Sequence, residues 1–309
     1  MKNPFLILGL FSSAGLFAQS LPSAPAVVQA PAAAAPDLQE DPVLHGQAPN
    51  AMPASPNLPT LWLIGDYTVR NGTAGDGSGG QWGWGAPLEY YFDRTKINVV
   101  NRAMGGTSSR SYYTSNWKRV VPNLKIGDFV IMQFGANDNG SPATGKTAIK
   151  GVGDETQDAN GETVHTFGWY MTQYVKETRD AGATPIICSL TPRNRFQPDG
   201  AFQRDTTTHA AWAAQTARDT HTPFVDLYEL IARKSEQLGK SQVAAFYGPT
   251  PTEYLHTVWL GAVSNAECVV GGLKALKDDP LAQYFSARGQ RIPALDVSLP
   301  ALPVKTPAP

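Results

Sequence analysis

Residues 128–138 read DFVIMQFGAND, and this stretch decides the fold class. Residues 129–134 are apolar except for Gln133, which is typical of a β-strand whose two faces are both buried, as in a parallel sheet. The run stops at Gly135, and Asn137 and Asp138 follow with side chains suited to turns and hydrogen bonds. The stretch therefore predicts a central parallel strand with polar groups at its carboxyl end.

Four other short runs rich in Val, Ile, Leu or Phe have the same character and are bounded by turn residues. Between the third and fourth strands, apolar side chains recur at helical spacing from Phe167 to Val175, and Gly182 ends that helix. Short strands that alternate with helical stretches predict an α/β domain of three layers, α/β/α, around a five-stranded parallel sheet. The predicted strands are 60–64, 97–101, 128–134, 184–190 and 223–227.

The amino-terminal residues 1–20 have the features of a secretory signal peptide. Lys2 precedes an uncharged apolar run that gives way to the small residues Ala18 and Ser20, the kind that a signal peptidase reads. A short amino-terminal core helix is the alternative interpretation. The signal peptide predicts a secreted or periplasmic protein.

Proline-rich segments frame the predicted domain. Residues 21–59 hold nine prolines interleaved with alanines, a composition that blocks helix and sheet and predicts an unstructured linker. Residues 291–309 repeat that composition and are expected to form a loosely attached tail. The folded domain is therefore expected at residues 60–290.

Charge and cysteine content exclude several classes of protein. The chain has 25 basic and 26 acidic side chains and a net charge of -1, so nucleic acids and anionic membrane surfaces are not expected partners. No segment after the signal approaches the roughly eighteen apolar residues of a membrane span. Cys188 and Cys268 have no metal-cluster spacing, and the sequence leaves open whether they pair. We expect a monomer without a metal ion or cofactor.

Two glycine motifs match nucleotide-binding patterns but lack the required context. Residues 140–147 fit the phosphate-loop pattern G-x-x-x-x-G-K-T, yet the strand ends well before them and Pro142 lies inside. Gly75, Gly77 and Gly80 fit G-x-G-x-x-G but do not open a helix. Both motifs are more simply interpreted as loops.

The side chains that could carry out chemistry follow different predicted strands. Acyl transfer needs a nucleophile, a base, a carboxylate that orients the base, and donors for the oxyanion. Glu253 and His256 could pair across one turn, and Gly106 and Asn137 could supply a backbone N–H and a side-chain amide. Taken singly, the histidine could pack, the asparagine could form an Asx turn, and the glycine could serve a tight turn. All four residues are expected at the same edge of the sheet, and this favours a catalytic site over four unrelated structural roles.

Four blocks of sequence carry a resemblance to a known family. They resemble the blocks of SGNH (GDSL-type) hydrolases, and most closely those of the rhamnogalacturonan acetylesterase family, over most of residues 60–277. The resemblance implies a flavodoxin-like fold and removal of acetyl groups from cell-wall polysaccharide without a cofactor. Acetylated polysaccharide or oligosaccharide is then the expected partner. The blocks are Gly65-Asp66, NRAMGGTSSRSY at 101–112, QFGAND at 133–138, and Glu253 with His256.

The resemblance also assigns roles to individual residues. Gly106 and Asn137 match the family's oxyanion donors, and His256 matches its catalytic base. Glu253 stands where the family has an aspartate, and hydrolases elsewhere accept this longer carboxylate as the orienting group.

One departure from the family is serious. Tyr67 occupies the position of the nucleophilic serine, directly after Gly65-Asp66. Thr68 is the neighbouring hydroxyl, and its side chain is expected to point away from that of Tyr67 along an extended chain. Ala136 replaces a histidine common in the subgroup, and Leu255 replaces a usual threonine.

Three hypotheses follow from these features. The first is an acetylesterase that still turns over through an unusual group such as Tyr67, since tyrosine nucleophiles exist in some glycosidases. The second is a catalytically inactive glycan-binding protein on a hydrolase scaffold, with the ring of Tyr67 stacking on a sugar. The third is a nucleotide-binding protein that uses residues 140–147.

Overall fold

The computed structural model of the chain describes residues 52–72, 80–204, 209–248 and 253–297. The predicted signal peptide (1–20), most of the predicted linker, the residues after 297, and Gly75 and Gly77 of the second glycine motif lie outside the described residues. No helix in the described ranges is both long and apolar enough to cross a membrane.

Seven strands form two sheets. The large sheet has five parallel strands, and a separate antiparallel hairpin consists of β4 and β5. The strands are β1 (Thr60–Gly65), β2 (Asn98–Asn101), β3 (Phe129–Gln133), β4 (Thr156–Ala159), β5 (Glu162–His165), β6 (Thr184–Cys188) and β7 (Phe224–Val225).

Helices precede and follow these strands. The α-helices are α1 (Gly85–Leu88), α2 (Ser109–Ser115), α3 (Phe167–Asp180), α4 (His209–Asp219), α5 (Leu227–Ala244), α6 (Trp259–Lys274) and α7 (Ala287–Arg291). Short 3-10 helices cover Glu89–Tyr91, Trp117–Arg119, Val121–Asn123 and Ala282–Tyr284.

Every strand of the large sheet was predicted, and each lies within a residue or two of its expected start. The side chains of β1 explain why the prediction succeeds. Leu61 and Leu63 point into one hydrophobic core beneath α1, α5 and α6, while Trp62 and Ile64 point into the other beneath α2, α3 and α4. Because both faces are covered, every position of the strand is apolar and the sequence shows an uninterrupted run. The three-layer α/β/α fold is thereby confirmed.

The strand order indicates where along the sheet a ligand-binding crevice is expected. The order is β2-β1-β3-β6-β7, so the chain starts at β1, adds β2 on one side and then crosses to β3 on the other. In open parallel sheets the loops at the carboxyl ends of strands diverge at such a reversal and leave a crevice. The crevice therefore lies between the segments that follow β1 and β3, which begin at Asp66 and Phe134.

The ordered chain extends beyond the expected 60–290 at both ends. The side-chain amide of Asn98 donates to the Ser55 carbonyl at 2.8 Å, and the Ser55 amide donates back to Asn98 Oδ1 at 3.0 Å. The Leu295 amide donates to the Gly271 carbonyl at 2.8 Å, and its side chain packs against the core. Proline content at these ends therefore did not prevent packing, since Ser55 and Leu295 still supply hydrogen bonds.

The two cysteines are both buried and unpaired. Cys188 ends β6 and Cys268 lies in α6, on the same side of the sheet. Burial raises the pKa of both thiols, to about 11 for Cys268, so neither is a reactive thiolate at neutral pH.

Candidate active site

The turn after β1 fixes the position that the sequence assigned to a nucleophile. Residues 66–70 form a helical turn, because the amides of Val69 and Arg70 both donate to the Asp66 carbonyl. The Thr68 amide and hydroxyl donate to Asp66 Oδ1 at 2.9 and 2.8 Å, which draws Thr68 into the interior. Tyr67 remains on the outer side and half-buried. The two side chains diverge as expected, but a turn rather than an extended chain separates them.

Two buried side chains, Gln133 and Trp84, stabilise this turn through hydrogen bonds. Gln133 at the end of β3 donates through Nε2 to the Thr68 hydroxyl and accepts at Oε1 from the Trp84 indole at 2.7 Å. The Thr68 hydroxyl is thus committed to Asp66 and Gln133, both fully buried. It is unavailable as a nucleophile, because releasing it would leave two buried polar groups without a partner.

The loop 102–107 follows β2 and contains Gly106, a predicted oxyanion donor, and is called the oxyanion loop below. Its φ of +76° is a left-handed conformation that glycine adopts without strain, and it leaves the residue exposed at the crevice. The Thr107 hydroxyl donates to the Met104 carbonyl at 2.7 Å, and Asn137 Nδ2 donates to the Thr107 carbonyl at 3.0 Å. That bond uses one amide hydrogen of Asn137 and leaves the second for a ligand oxygen.

A second link joins the same two loops. Asp138 accepts from the Ser109 amide at 3.1 Å and from its hydroxyl at 2.6 Å, at the beginning of α2. Burial raises the pKa of Asp138 to about 6, against the lowering effect of the Ser109 hydrogen bonds. The sequence analysis did not single out Asp138 or Ser109 for this role, although Asp138 belongs to the quoted GAND block.

Residues 140–147, the phosphate-loop match, brace the oxyanion loop. They run into no helix, so the structural context of a nucleotide site is missing. The guanidinium of Arg110 donates to the carbonyls of Pro142 and Thr147 at 2.9 and 3.1 Å. The Lys146 ammonium donates to the Gly106 carbonyl. Lys146 therefore places a positive charge beside the oxyanion loop rather than at a phosphate.

The predicted pairing of Glu253 with His256 is present. The imidazole Nδ1 lies 3.2 Å from Glu253 Oε2, and the amides of Leu255 and His256 both donate to Oε1 at 2.8 Å. Burial raises the pKa of Glu253, but these hydrogen bonds outweigh it and hold the pKa below its usual value. An ionised carboxylate only accepts, so Nδ1 carries the proton and Nε2 is left as the basic nitrogen.

Tyr67 lies directly against this base. The two ring centroids are 4.5 Å apart at an interplanar angle of 41°. No described residue hydrogen-bonds to the Tyr67 hydroxyl. Burial, together with the negative charge of Asp66, raises the pKa of Tyr67 well above that of an ordinary phenol. The hydroxyl is therefore protonated at neutral pH, and it makes no hydrogen bond to His256 through which that imidazole could take its proton.

A cavity of about 430 Å³ opens beside Tyr67. Next to it, Gly135 at φ +132° approaches α4 so closely that an added Cβ would lie 2.8 Å from the Cβ of His209, a lining residue. Burial lowers the pKa of His209 to about 4, so this imidazole is neutral. The lining is Tyr67, Ala136, Asn139, Leu190, Thr191, Pro192, Arg193, His209, Tyr228 and Leu255.

The structure brings the sequence-predicted residues to one edge in two groups. Tyr67 contacts the Glu253–His256 pair, and Gly106 is joined to Asn137 through Thr107. Sequence reasoning missed Gln133, whose only signal was a polar side chain at the end of an apolar strand. It also missed His209, which gave no signal because the tertiary contact with Gly135 brings it to the cavity. Within the described ranges, no cluster of three or more His, Cys, Asp or Glu side chains could hold a metal ion.

Comparison with known proteins gives consistent matches. A family model described as GDSL-like lipase/acylhydrolase matches residues 67–246, from Tyr67 to a point before the Glu253–His256 pair. A rhamnogalacturonan acetylesterase of Emericella nidulans is 33% identical over 205 residues, 64% of this chain and 78% of that protein. The probable rhamnogalacturonan acetylesterase YesY of Bacillus subtilis is 28% identical over 220 residues, 70% of this chain and 93% of that protein.

Solved structures of similar fold include a protein of Bacillus subtilis. The crystal structure of the Bacillus subtilis protein YxiM matches with a TM-score of 0.58 and 24% identity. The match covers 70% of this chain and 56% of that one, so the present chain spans little more than half of the solved protein.

Proposed function

Since the chain belongs to the GDSL-like lipase/acylhydrolase family, we propose that it is an acetylesterase-like protein that binds acetylated cell-wall polysaccharide and hydrolyses its esters very slowly. The observation that carries the proposal is the ring of Tyr67 against the ring of His256. In this position the phenol fills the place of a nucleophile without acting as one, because no base accepts a hydrogen bond from its hydroxyl and burial keeps it protonated.

The other parts of an ester-binding site are present and support the proposal that the protein still binds an acetylated ligand. Gly106 and Asn137 can donate to an acetyl carbonyl oxygen, and the cavity beside Tyr67 has room for part of a sugar. The relatives named rhamnogalacturonan acetylesterase indicate the polysaccharide with which to start. An aromatic ring at a saccharide site can stack on the apolar face of a sugar, which gives Tyr67 a role in binding.

A second candidate is an esterase with substantial turnover, and a specific observation favours it. Hydrogen bonds hold Glu253 and His256 in the geometry of a functional catalytic base, although the neighbouring side chain, Tyr67, is not a nucleophile that this base activates. In this version His256 takes a proton from a bound water molecule as the water oxygen attacks the acetyl carbon, and Gly106 and Asn137 hold the oxyanion. The bond to the sugar oxygen then breaks, the protonated imidazole returns the proton to that oxygen, and acetate is released.

Binding and turnover on the same ligand distinguish these candidates. Purified protein is titrated calorimetrically with acetylated rhamnogalacturonan oligosaccharides, and acetate release is followed in parallel. We expect saturable binding, with acetate release several orders of magnitude slower than that of the Emericella nidulans relative under the same conditions. Rapid release would establish the second candidate, and absence of binding would overturn both.

Export is part of the proposal, because cell-wall polysaccharide lies outside the cell. The features of residues 1–20 support it, and the mature chain is expected to begin near Gln19 or Leu21. Expression of the full chain in a bacterial host, followed by amino-terminal sequencing of the periplasmic or secreted protein, checks this. A product that stays in the cytoplasm and still starts at Met1 would contradict it.

A further inference from the structure

A second cavity, of about 450 Å³, opens at the carboxyl end of β2 and shares no lining residue with the cavity beside Tyr67. We call it the β2 cavity. Its described lining contains no carboxylate, so the charged side chains that line it are all positive. The cationic and amide side chains of the lining are those of Arg70, Arg102, Arg119, Asn71, Asn101 and Asn116.

This concentration of positive charge is local, because the chain as a whole has 26 acidic side chains for 25 basic ones. Elsewhere in the fold Arg110 pairs with Glu162 at 2.7 Å. In the β2 cavity, Arg70 and Arg102 are half-buried and Arg119 is exposed. No described residue forms an ion pair or a hydrogen bond with the guanidinium of Arg119. Like charges that share a partly desolvated cavity repel each other, and a bound anion offsets that cost.

Hydrogen bonds hold the walls of the β2 cavity in place. Asn101 Nδ2 donates to the Val69 carbonyl at 2.7 Å and to Asn71 Oδ1 at 2.8 Å, and Asn101 Oδ1 accepts from the Ala103 amide at 3.1 Å. Because Asn71 accepts through its oxygen, its amide nitrogen is left as a donor. These bonds join the segment after Tyr67 to the oxyanion loop, so a ligand meets walls that are already ordered and little affinity is lost in ordering them.

Three separate segments of the chain each contribute one arginine. Arg102 begins the oxyanion loop, and its carbonyl accepts from the Tyr112 hydroxyl at 2.7 Å. Arg70 lies against the same loop, since a Cβ added at Gly105 would lie 3.0 Å from Arg70 Cδ and 3.2 Å from Arg70 Nε. Arg119 ends the 3-10 helix that follows α2. The three cations therefore meet through tertiary contacts.

We propose that the β2 cavity binds a phosphate group, as inorganic phosphate or as a phosphomonoester, through the guanidinium groups of Arg70, Arg102 and Arg119. A phosphate group carries about two negative charges at neutral pH and has three terminal oxygens that accept hydrogen bonds. Guanidinium groups donate to such oxygens in pairs, and several can share one phosphate. A lone carboxylate has a single charge and would leave two of the cations uncompensated. The inference goes beyond the proposed function, because it concerns a separate cavity and another ligand.

Three small ligands test the proposal on the full chain: inorganic phosphate, glucose 6-phosphate and galacturonate. In calorimetric titrations we expect at least one of the two phosphates to bind about tenfold or more tightly than galacturonate, and to bind more weakly as salt is raised. Similar affinities for both phosphates assign recognition to the phosphate group alone, and a preference for one of them identifies the free ion or the ester. Galacturonate binding as tight as that of both phosphates, or no phosphate binding, would overturn the inference and leave the proposed function intact.

Variants locate the binding. Arg119→Gln is expected to lose about tenfold or more in affinity for the preferred phosphate, while Arg119→Lys retains part of it. Since Arg119 is exposed, the thermal unfolding temperature should not change. Lys118→Gln is the matched control, because Lys118 precedes Arg119 in the same 3-10 helix, is exposed and does not line the cavity. Equal losses in Arg119→Gln and Lys118→Gln would assign the binding to overall charge, and unchanged affinity in Arg119→Gln would place it elsewhere. Either result would overturn the inference.

Discussion

Tyr67→Ser is expected to raise the hydrolysis of a small aryl acetate by a factor on the order of a hundred or more over the wild type. The substitution removes the ring that lies against His256 and supplies a hydroxyl after Asp66, in a turn already held by Thr68 and Gln133. Nε2 of His256 can then accept a hydrogen bond from the serine hydroxyl and take its proton as the serine attacks, whereas the Tyr67 hydroxyl makes no hydrogen bond to this imidazole. Initial rates with aryl acetate at neutral pH measure the effect.

Matched variants distinguish a rate increase caused by a new nucleophile from one caused by a wider pocket. Tyr67→Ala opens the same space without a hydroxyl and should show no comparable gain. Adding His256→Ala to Tyr67→Ser should abolish the gain, and adding Asn137→Ala should reduce it by about a hundredfold, the usual loss for one oxyanion donor. A wild type that already turns over rapidly, with Tyr67→Phe equally fast, would show that residue 67 does not govern catalysis.

Asp66→Asn is expected to change the pH dependence of stability more than any other single carboxyl substitution. Asp66 is fully buried, and burial raises its pKa from 3.8 to about 7, although the Thr68 hydrogen bonds lower it. Folding therefore favours the protonated form, so its contribution is greatest below pH 4 and is lost as pH rises to about 7. A shift of about three units corresponds to roughly 4 kcal/mol in the free energy of unfolding.

Denaturant unfolding of both proteins between pH 4 and pH 8 measures this difference. Asparagine cannot ionise, so the free energy of unfolding of the variant should increase relative to that of the wild type as pH rises. This change is expected whatever the difference between the two proteins is at pH 4. His209 remains in both proteins, and its opposite effect below pH 6.5 cancels in the comparison, whereas the repulsion between Asp66 and Asp138 is removed by the substitution and is part of the measured difference. Asp93→Asn, at a surface carboxyl whose pKa the Thr95 hydrogen bonds lower, is the control and should not show this gain. A constant difference between wild type and Asp66→Asn would contradict the prediction.

The parts of the fold that the sequence predicted are those with local signals. Strand β3 was evident because burial on both faces makes its residues apolar, and helix α3 because one face repeats at helical spacing and Gly182 ends it. The hairpin of β4 and β5 was missed, since its residues are mostly polar and exposed. Tertiary contacts support it, among them the Arg110–Glu162 ion pair at 2.7 Å.

The sequence by itself determined the sheet, the order of the site segments and the absence of a serine after Asp66. It also predicted the Glu253–His256 pair, because three residues of one turn keep both groups within reach of each other. Only the tertiary structure decided what Tyr67 does there, since its pKa and its contact with His256 depend on burial by distant segments. In the same way, Lys146 supports the oxyanion loop and Arg193 enters the cavity because separate loops meet at one edge of the sheet. Sequence spacing predicts contacts between residues of the same turn. The desolvation and the charge of a site depend instead on residues that are far apart in the sequence, so they are known only from the tertiary structure.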